Sequence, residues 1–193
     1  MKKVRLALFA GAVAWAVFFA VPAPAHPQGN AAEIAAAAGW PEADPADVES
    51  VDAIIEALYD VISGPAGEAR DWDRFKSLMA PQARLIPTGR GQNGVGYQAW
   101  TPDQYAEQAG AFLEQRGFFE VEAARTTDEF GQIAHAFSTY ESRWNADDEE
   151  PFDRGINSIQ LLNDGDRWWI LNIFWAAESS GLTIPDRYLR DGG

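Results

Sequence analysis

A chain of 193 residues carries 15 Lys and Arg against 29 Asp and Glu, a formal charge of −14 at pH 7, and contains no cysteine. A surface of that sign repels nucleic acid and anionic lipid, so neither is expected as a partner. With no thiol there is neither a disulfide framework nor a lipid-carrying residue, and an apolar core must hold the fold.

Residues 1–25, "MKKVRLALFAGAVAWAVFFAVPAPA", open with Lys2, Lys3 and Arg5 and run through an apolar stretch to Ala23-Pro24-Ala25. This is the pattern of a secretory signal peptide, with cleavage expected after Ala25. The apolar run is short of the ~20 residues that a spanning helix needs. The expectation is therefore an exported protein, periplasmic or secreted, with no stable membrane anchor after cleavage. The remaining 168 residues hold 12 basic against 29 acidic groups and suffice for one domain. Residues 26–43, "HPQGNAAEIAAAAGWPEA", read as a flexible linker in which "AAEIAAAA" can form a transient helical turn and Trp40 can dock back.

From Asp44 the text becomes periodic. Asp44 caps a helix with Pro45 in its first turn, and Val48, Val51, Ile55, Leu58 and Ile62 form one stripe ending at Gly64-Pro65. A second helix covers 71–79, capped by Asp71 and stopped by Pro81. A strand follows in "ARLIPT", then a Gly-rich connection without the G-K-[ST] end that holds phosphate, then "YQAW" as a paired strand. Thr101-Pro102-Asp103-Gln104 is a capping box that opens a third helix, with Tyr105, Ala109, Phe112 and Leu113 inward and Gly117 as its stop. Strands are predicted over 118–127, 133–144, 155–163 and 167–177, an antiparallel meander. Helices on one face of such a sheet make an α+β domain, here residues 44–178, followed by a C-terminal tail at 179–193.

This element order, with "SGPAGEARDWDRFKSLMAPQARLIPTG" and "FDRGINSIQLLNDGDRWWILNIFW", resembles the nuclear transport factor 2-like superfamily, in its bacterial polyketide-cyclase-like and ketosteroid-isomerase-like branch. The resemblance covers residues 47–178. It implies a cone-shaped fold in which three helices pack on a curved antiparallel sheet around a small apolar ligand, and a homodimer through the outer sheet face. The acid–base sets used by ketosteroid-isomerase-like, epoxide-hydrolase-like and scytalone-dehydratase-like members match no positions of this chain.

The hairpin "NDGD" predicts a two-residue turn at Asp164-Gly165. That register places Asn157 opposite Asn172 on an uncharged face with Leu161, Trp168, Ile159, Ile170 and Phe174. Trp169 and Trp175 fall on the other face, the expected interface. The expected ligand pocket is Asn157, Asn172, Trp168 and Phe174, joined by Tyr59 and Tyr140. The two asparagines either bond each other or nearby backbone, or offer their amides to a ligand. His135 is the weak candidate for an acid–base residue. Glu141 and Arg143 read as an ion pair, and "DDEE" at 147–150 as a solvated loop. With two histidines and no cysteine, no transition-metal site is expected, and no cofactor. Three functions follow as alternatives: binding of a small, largely apolar molecule without assigned chemistry; an isomerase, dehydratase or cyclase working by proton transfer; or a non-catalytic homodimeric module.

Overall fold

Helix breaks and turns follow from local capping. The computed structural model describes residues 29–178 and 181–189, so the signal-peptide reading of residues 1–25 lies outside the described residues. Five α-helices occur among those residues, α1 (Ala31–Ala37), α2 (Pro45–Val48), α3 (Val51–Ile62), α4 (Trp72–Ser77) and α5 (Pro102–Arg116), with a 3-10 turn at Asp186–Tyr188. The single helix expected from Asp44 is two. Asp44 caps α2 as predicted, but Ser50 turns extended, and its Oγ accepts from Ala53 N at 3.0 Å to start α3 afresh. The stripe survives the break, because Val48, Val51, Ile55, Leu58 and Ile62 are all buried.

The stretch read as a linker is more ordered than its composition suggests. Asn30 and Glu33 form a capping box at the head of α1. Trp40 Nε1 donates to the carbonyls of Lys76 and Met79 at 2.7 and 2.9 Å, and a small cluster of Ala35, Ala80 and Trp169 is buried there. Trp169 thus lies on the outer sheet face, as expected, but this chain's own N-terminal segment covers it.

The sheet has six strands in the order β2-β1-β6-β5-β4-β3, namely β1 (Met79–Gly91), β2 (Gly94–Tyr97), β3 (Phe119–Phe130), β4 (Ile133–Arg143), β5 (Asp153–Asn163) and β6 (Trp168–Ala177). It is mixed and not wholly antiparallel, since β1 runs parallel to β6, with Leu85 beside Ile173. The Gly-rich connection is itself the tip of the β1–β2 hairpin, where Gly91 pairs with Gly94. The β3–β6 meander forms as predicted.

Two irregularities decide what faces inward. The expected two-residue turn at Asp164-Gly165 is a four-residue loop, because Asn163 pairs with Trp168. The Asp164 carboxylate organises it, accepting from the backbone N–H of Asp166 and Arg167, both at 3.1 Å, and from Trp169 Nε1 at 2.8 Å. A bulge then falls between the Leu161–Ile170 and Gln160–Asn172 pairs, making Leu171 an extra residue. Beyond it, every side chain of β6 changes face. Trp168 and Ile170 point into the core as predicted; Ile173 and Trp175 join them, and Asn172 and Phe174 turn outward.

On β4 the even-numbered residues face the core, including Ala134, Ala136 and Tyr140. His135, Phe137 and Thr139 face out. There the C-terminal segment lies against the sheet: Thr139 Oγ1 donates to Tyr188 O at 2.5 Å, and the rings of Phe137 and Tyr188 meet edge to face. Arg143 and Glu141 form the expected ion pair at 2.6 Å.

Candidate ligand-binding site

Between the inner sheet face and helices α3 and α5 lies a cavity of about 270 Å³. Its walls are mostly apolar. Leu58 and Ile62 come from α3, Tyr105, Ala109 and Leu113 from α5, and Ile173 and Trp175 from the displaced half of β6. Tyr105 is fixed by its neighbours, stacked on Phe75 at 5.3 Å and edge-on to Trp175 at 6.4 Å. Further out, Phe112, Phe118 and Phe152 line the cavity, and Phe152 stacks on Trp144 at 3.7 Å.

The polar groups converge on one row of the sheet. Glu120 on β3 opposes Ser142 on β4, which opposes Asp153 on β5, and all three line the cavity. Ser142 Oγ donates to Glu120 Oε2 at 2.8 Å. Burial pushes the Glu120 carboxyl up to about 7. The hydrogen bond from Ser142 and the Asn157 amide partly offset this, and the nearby Asp153 charge adds to it. Glu120 therefore keeps its proton to a higher pH than an ordinary carboxyl.

Tyr140, on the next inward position of β4, opposes Gly155. A Cβ on Gly155 would stand 2.4 Å from the Tyr140 hydroxyl and 2.4 Å from the Ala176 carbonyl, so only glycine lets this phenol lie across β5. Burial raises the phenols of Tyr59, Tyr105 and Tyr140 above their ordinary range, and the Glu120 charge adds to each. All three stay protonated at neutral pH and can donate.

Asn157 belongs to the same wall. Its Nδ2 donates to Tyr59 Oη at 3.2 Å; Tyr59 and Ser138 share a hydrogen bond of 2.7 Å; and Ser138 Oγ donates to Glu122 Oε1 at 2.5 Å. This chain of groups leads to a second, open cleft between α3 and β3, lined by Asp52, Glu56, Asp60 and Glu122. Glu120 lines both spaces.

The predicted site residues thus scatter. Asn157 and Tyr140 line the cavity, and Tyr59 stands behind Asn157 as its partner. Trp168 is buried core away from the cavity lining. Asn172 and Asn157 are not cross-strand neighbours: the bulge sets Asn157 opposite Trp175 and Asn172 opposite Gln160. Asn172 Oδ1 is buried without a hydrogen-bond partner, while the adjacent Arg84 donates to the carbonyls of Gln82 and Ala83 instead. Phe174 is on the outer face, 45% exposed. His135 is also on that face, bonded to Ser158 at 2.9 Å, and takes no part in the cavity lining. Glu120, Ser142 and Asp153 escaped sequence reading. The one available signal was an acid in alternation, Glu120 between Phe118 and the pair Val121-Glu122. No cluster of three or more His, Asp or Glu among the described residues is arranged to hold a metal ion.

No family model matches this chain, and no curated protein does. Solved structures do. A protein of unknown function with a cystatin-like fold from Nostoc punctiforme superposes with a TM-score of 0.50 at 9% identity, over 66% of this chain and 87% of that one. A nuclear transport factor 2-like protein of unknown function from Silicibacter pomeroyi gives 0.44 at 13% identity, over 67% and 93%. A nuclear transport factor 2-like superfamily protein from Salmonella enterica gives 0.44 at 16%, over 63% and 84%. The fold is a cystatin-like α+β fold.

Proposed function

We propose that this protein binds a small, largely apolar organic molecule inside its cone. The observation that carries the reading is the cavity itself: apolar and aromatic walls around a few convergent polar groups, Glu120, Ser142, Asp153 and Asn157. The N-terminal pattern of residues 1–25 supports placing that activity outside the cytoplasm. Native mass spectrometry of the protein purified from its own host is expected to show a co-purifying molecule. Ala109→Phe, which fills the cavity from α5, should release it. A protein that is empty in both forms ends the proposal.

A second reading has its own observation. Glu120 combines a raised carboxyl pKa with a place on the cavity wall beside the Tyr140 phenol. A carboxyl poised near neutrality can take a proton from a bound molecule and return it, with the phenol donating to an oxygen that gains charge. This supports proton-transfer chemistry. On any substrate that a screen finds, turnover by Glu120→Gln at the rate of the parent protein would remove it.

A further inference from the structure

We infer that the outer face of the sheet carries a second binding site, a groove for an aliphatic carboxylate, on the side opposite the cone cavity. The groove measures about 400 Å³ and lies where the C-terminal segment crosses β4, β5 and β6. Phe137, Ile156 and Phe174 form its floor, and Leu182, Ile184 and Tyr188 form its wall. That wall is tied to the sheet at two points. Ile184 N donates to Glu178 Oε1 at 3.1 Å, and Thr139 Oγ1 donates to Tyr188 O at 2.5 Å. The apolar surfaces on the two sides nevertheless stay open, since Phe174 is 45% and Leu182 51% exposed.

Several polar groups of the groove are already satisfied. Thr88 Oγ1 donates to Trp175 O at 2.7 Å, and Ser158 shares a hydrogen bond of 2.9 Å with His135. The Glu178 carboxylate takes Arg154 at 2.8 Å as well as Ile184 N. Arg187 and the Tyr188 hydroxyl differ from these. They line the same groove, and among the described residues neither has a hydrogen-bond or ion-pair partner. The guanidinium lies 4.5 Å from the centroid of the Tyr188 ring, a contact that holds it at the groove and leaves its N–H groups free to donate. With Glu178 neutralised by Arg154, the uncompensated charge of the groove is positive.

The occupant that fits both halves has an apolar chain for the floor and wall, and a carboxylate for the guanidinium fork. A neutral chain would gain the same apolar burial without the charge-assisted bonds. An alkylammonium would meet Arg187 as a like charge. The formal charge of −14 on the whole chain opposes the approach of any anion. Exposed charges are screened over about 8 Å at physiological salt, so the guanidinium at the groove decides.

The test uses the intact protein, isotope-labelled for NMR and titrated with octanoate, 1-octanol and octylammonium. The amides of Phe137, Ser158 and Ile184 report the groove, and those of Ala109 and Leu113 report the cone. Octanoate is expected to shift the groove amides and to bind there about 5-fold or more tightly than 1-octanol. Arg187→Gln should remove that preference, while 1-octanol binds the groove as before and so reports an intact site. Octanoate binding no tighter than 1-octanol, octylammonium binding as tightly as octanoate, or an unchanged preference in Arg187→Gln overturns the carboxylate assignment. Groove amides that octanoate leaves unmoved overturn the site itself, and a shift of Ala109 and Leu113 in that case leaves the cone reading standing. Groove amides that move with protein concentration alone show that a second copy of this chain covers the face, and overturn the proposal as well.

Discussion

Glu120→Gln is expected to make the protein more stable at pH 8 and no more stable near pH 4.5. The carboxyl has an ordinary value of 4.5 and is raised to about 7 in the folded chain. The folded state therefore holds this proton more tightly than the unfolded state between those two values. Stability from this group is fully present below 4.5 and is lost as pH climbs through 7. A shift of that size corresponds to a cost of up to about 3 kcal/mol for the ionised form. Contact with the open cleft on the α3 side screens it, so a gain of roughly 1–3 kcal/mol is expected for the uncharged amide. In a chain of this length that is a rise in Tm of roughly 3–8 °C at pH 8. The measurement is the difference between variant and parent melting curves across pH 4.5–8, which cancels the titration of the other carboxylates. A difference that ignores pH, or a less stable variant at pH 8, would refute the raised carboxyl.

Arg70→Met should cost about 3–5 kcal/mol at neutral pH, one of the larger losses available to a single residue of this fold. Arg70 is 7% exposed, and it pairs with carbonyls and not with a carboxylate. Its Nε donates to Ile62 O at 2.9 Å, its Nη2 to Gly64 O at 2.6 Å and Leu113 O at 3.3 Å, and its Nη1 to Glu68 O at 2.5 Å. These carbonyls belong to the end of α3, the segment after it and the end of α5, so one guanidinium ties three chain ends together. Burial lowers its pKa, with the charges of Glu68 and Glu114 opposing that shift. A Cβ on Gly64 would lie 2.7 Å from Arg70 Nη1, so any larger residue there would displace the guanidinium. Methionine keeps most of the volume but removes the guanidinium's donors, while Gly64 O and Leu113 O keep the backbone N–H of Phe118 and Gly117. Lysine, a single point donor, should recover less than half of the loss. Urea unfolding of the three proteins decides this; a Met variant within about 1 kcal/mol of the parent would show that water replaces the guanidinium. Because Leu113 and Phe118 line the cavity, and Gly64 and Phe118 exchange backbone hydrogen bonds of 2.7 and 3.0 Å, loosening this knot should also weaken ligand binding.

Much of the cone was legible in the linear text because its signals are local. The Thr101–Gln104 capping box, Pro102 and Gly117 bound α5 through groups that meet within a few residues. The stripe from Val48 to Ile62 survived a break that it did not reveal, since burial depends on spacing while the break depends on the Ser50 hydroxyl capturing one N–H. The meander followed from alternation and from glycines at the turns. Arg70 was invisible, because its partners are carbonyls that any residue could supply.

The candidate site was read only in part, and one residue accounts for most of the difference. Strand faces alternate with a period of two, so a single extra residue reverses all that follows. The bulge at Leu171 moved Asn172 and Phe174 out of the cone and brought Ile173 and Trp175 in. No local pattern announces that bulge. It reconciles a loop organised by the Asp164 carboxylate with β5 on one side and the parallel strand β1 on the other. Likewise, Glu120, Ser142 and Asp153 are 11 to 33 positions apart in sequence and become one row only when β3, β4 and β5 pair. By itself, the sequence determined the acidic charge, the helix caps, the strand alternation and hence the class of fold. Tertiary structure alone decided which polar groups share the cavity, because pairing register and burial arise between segments and not within them.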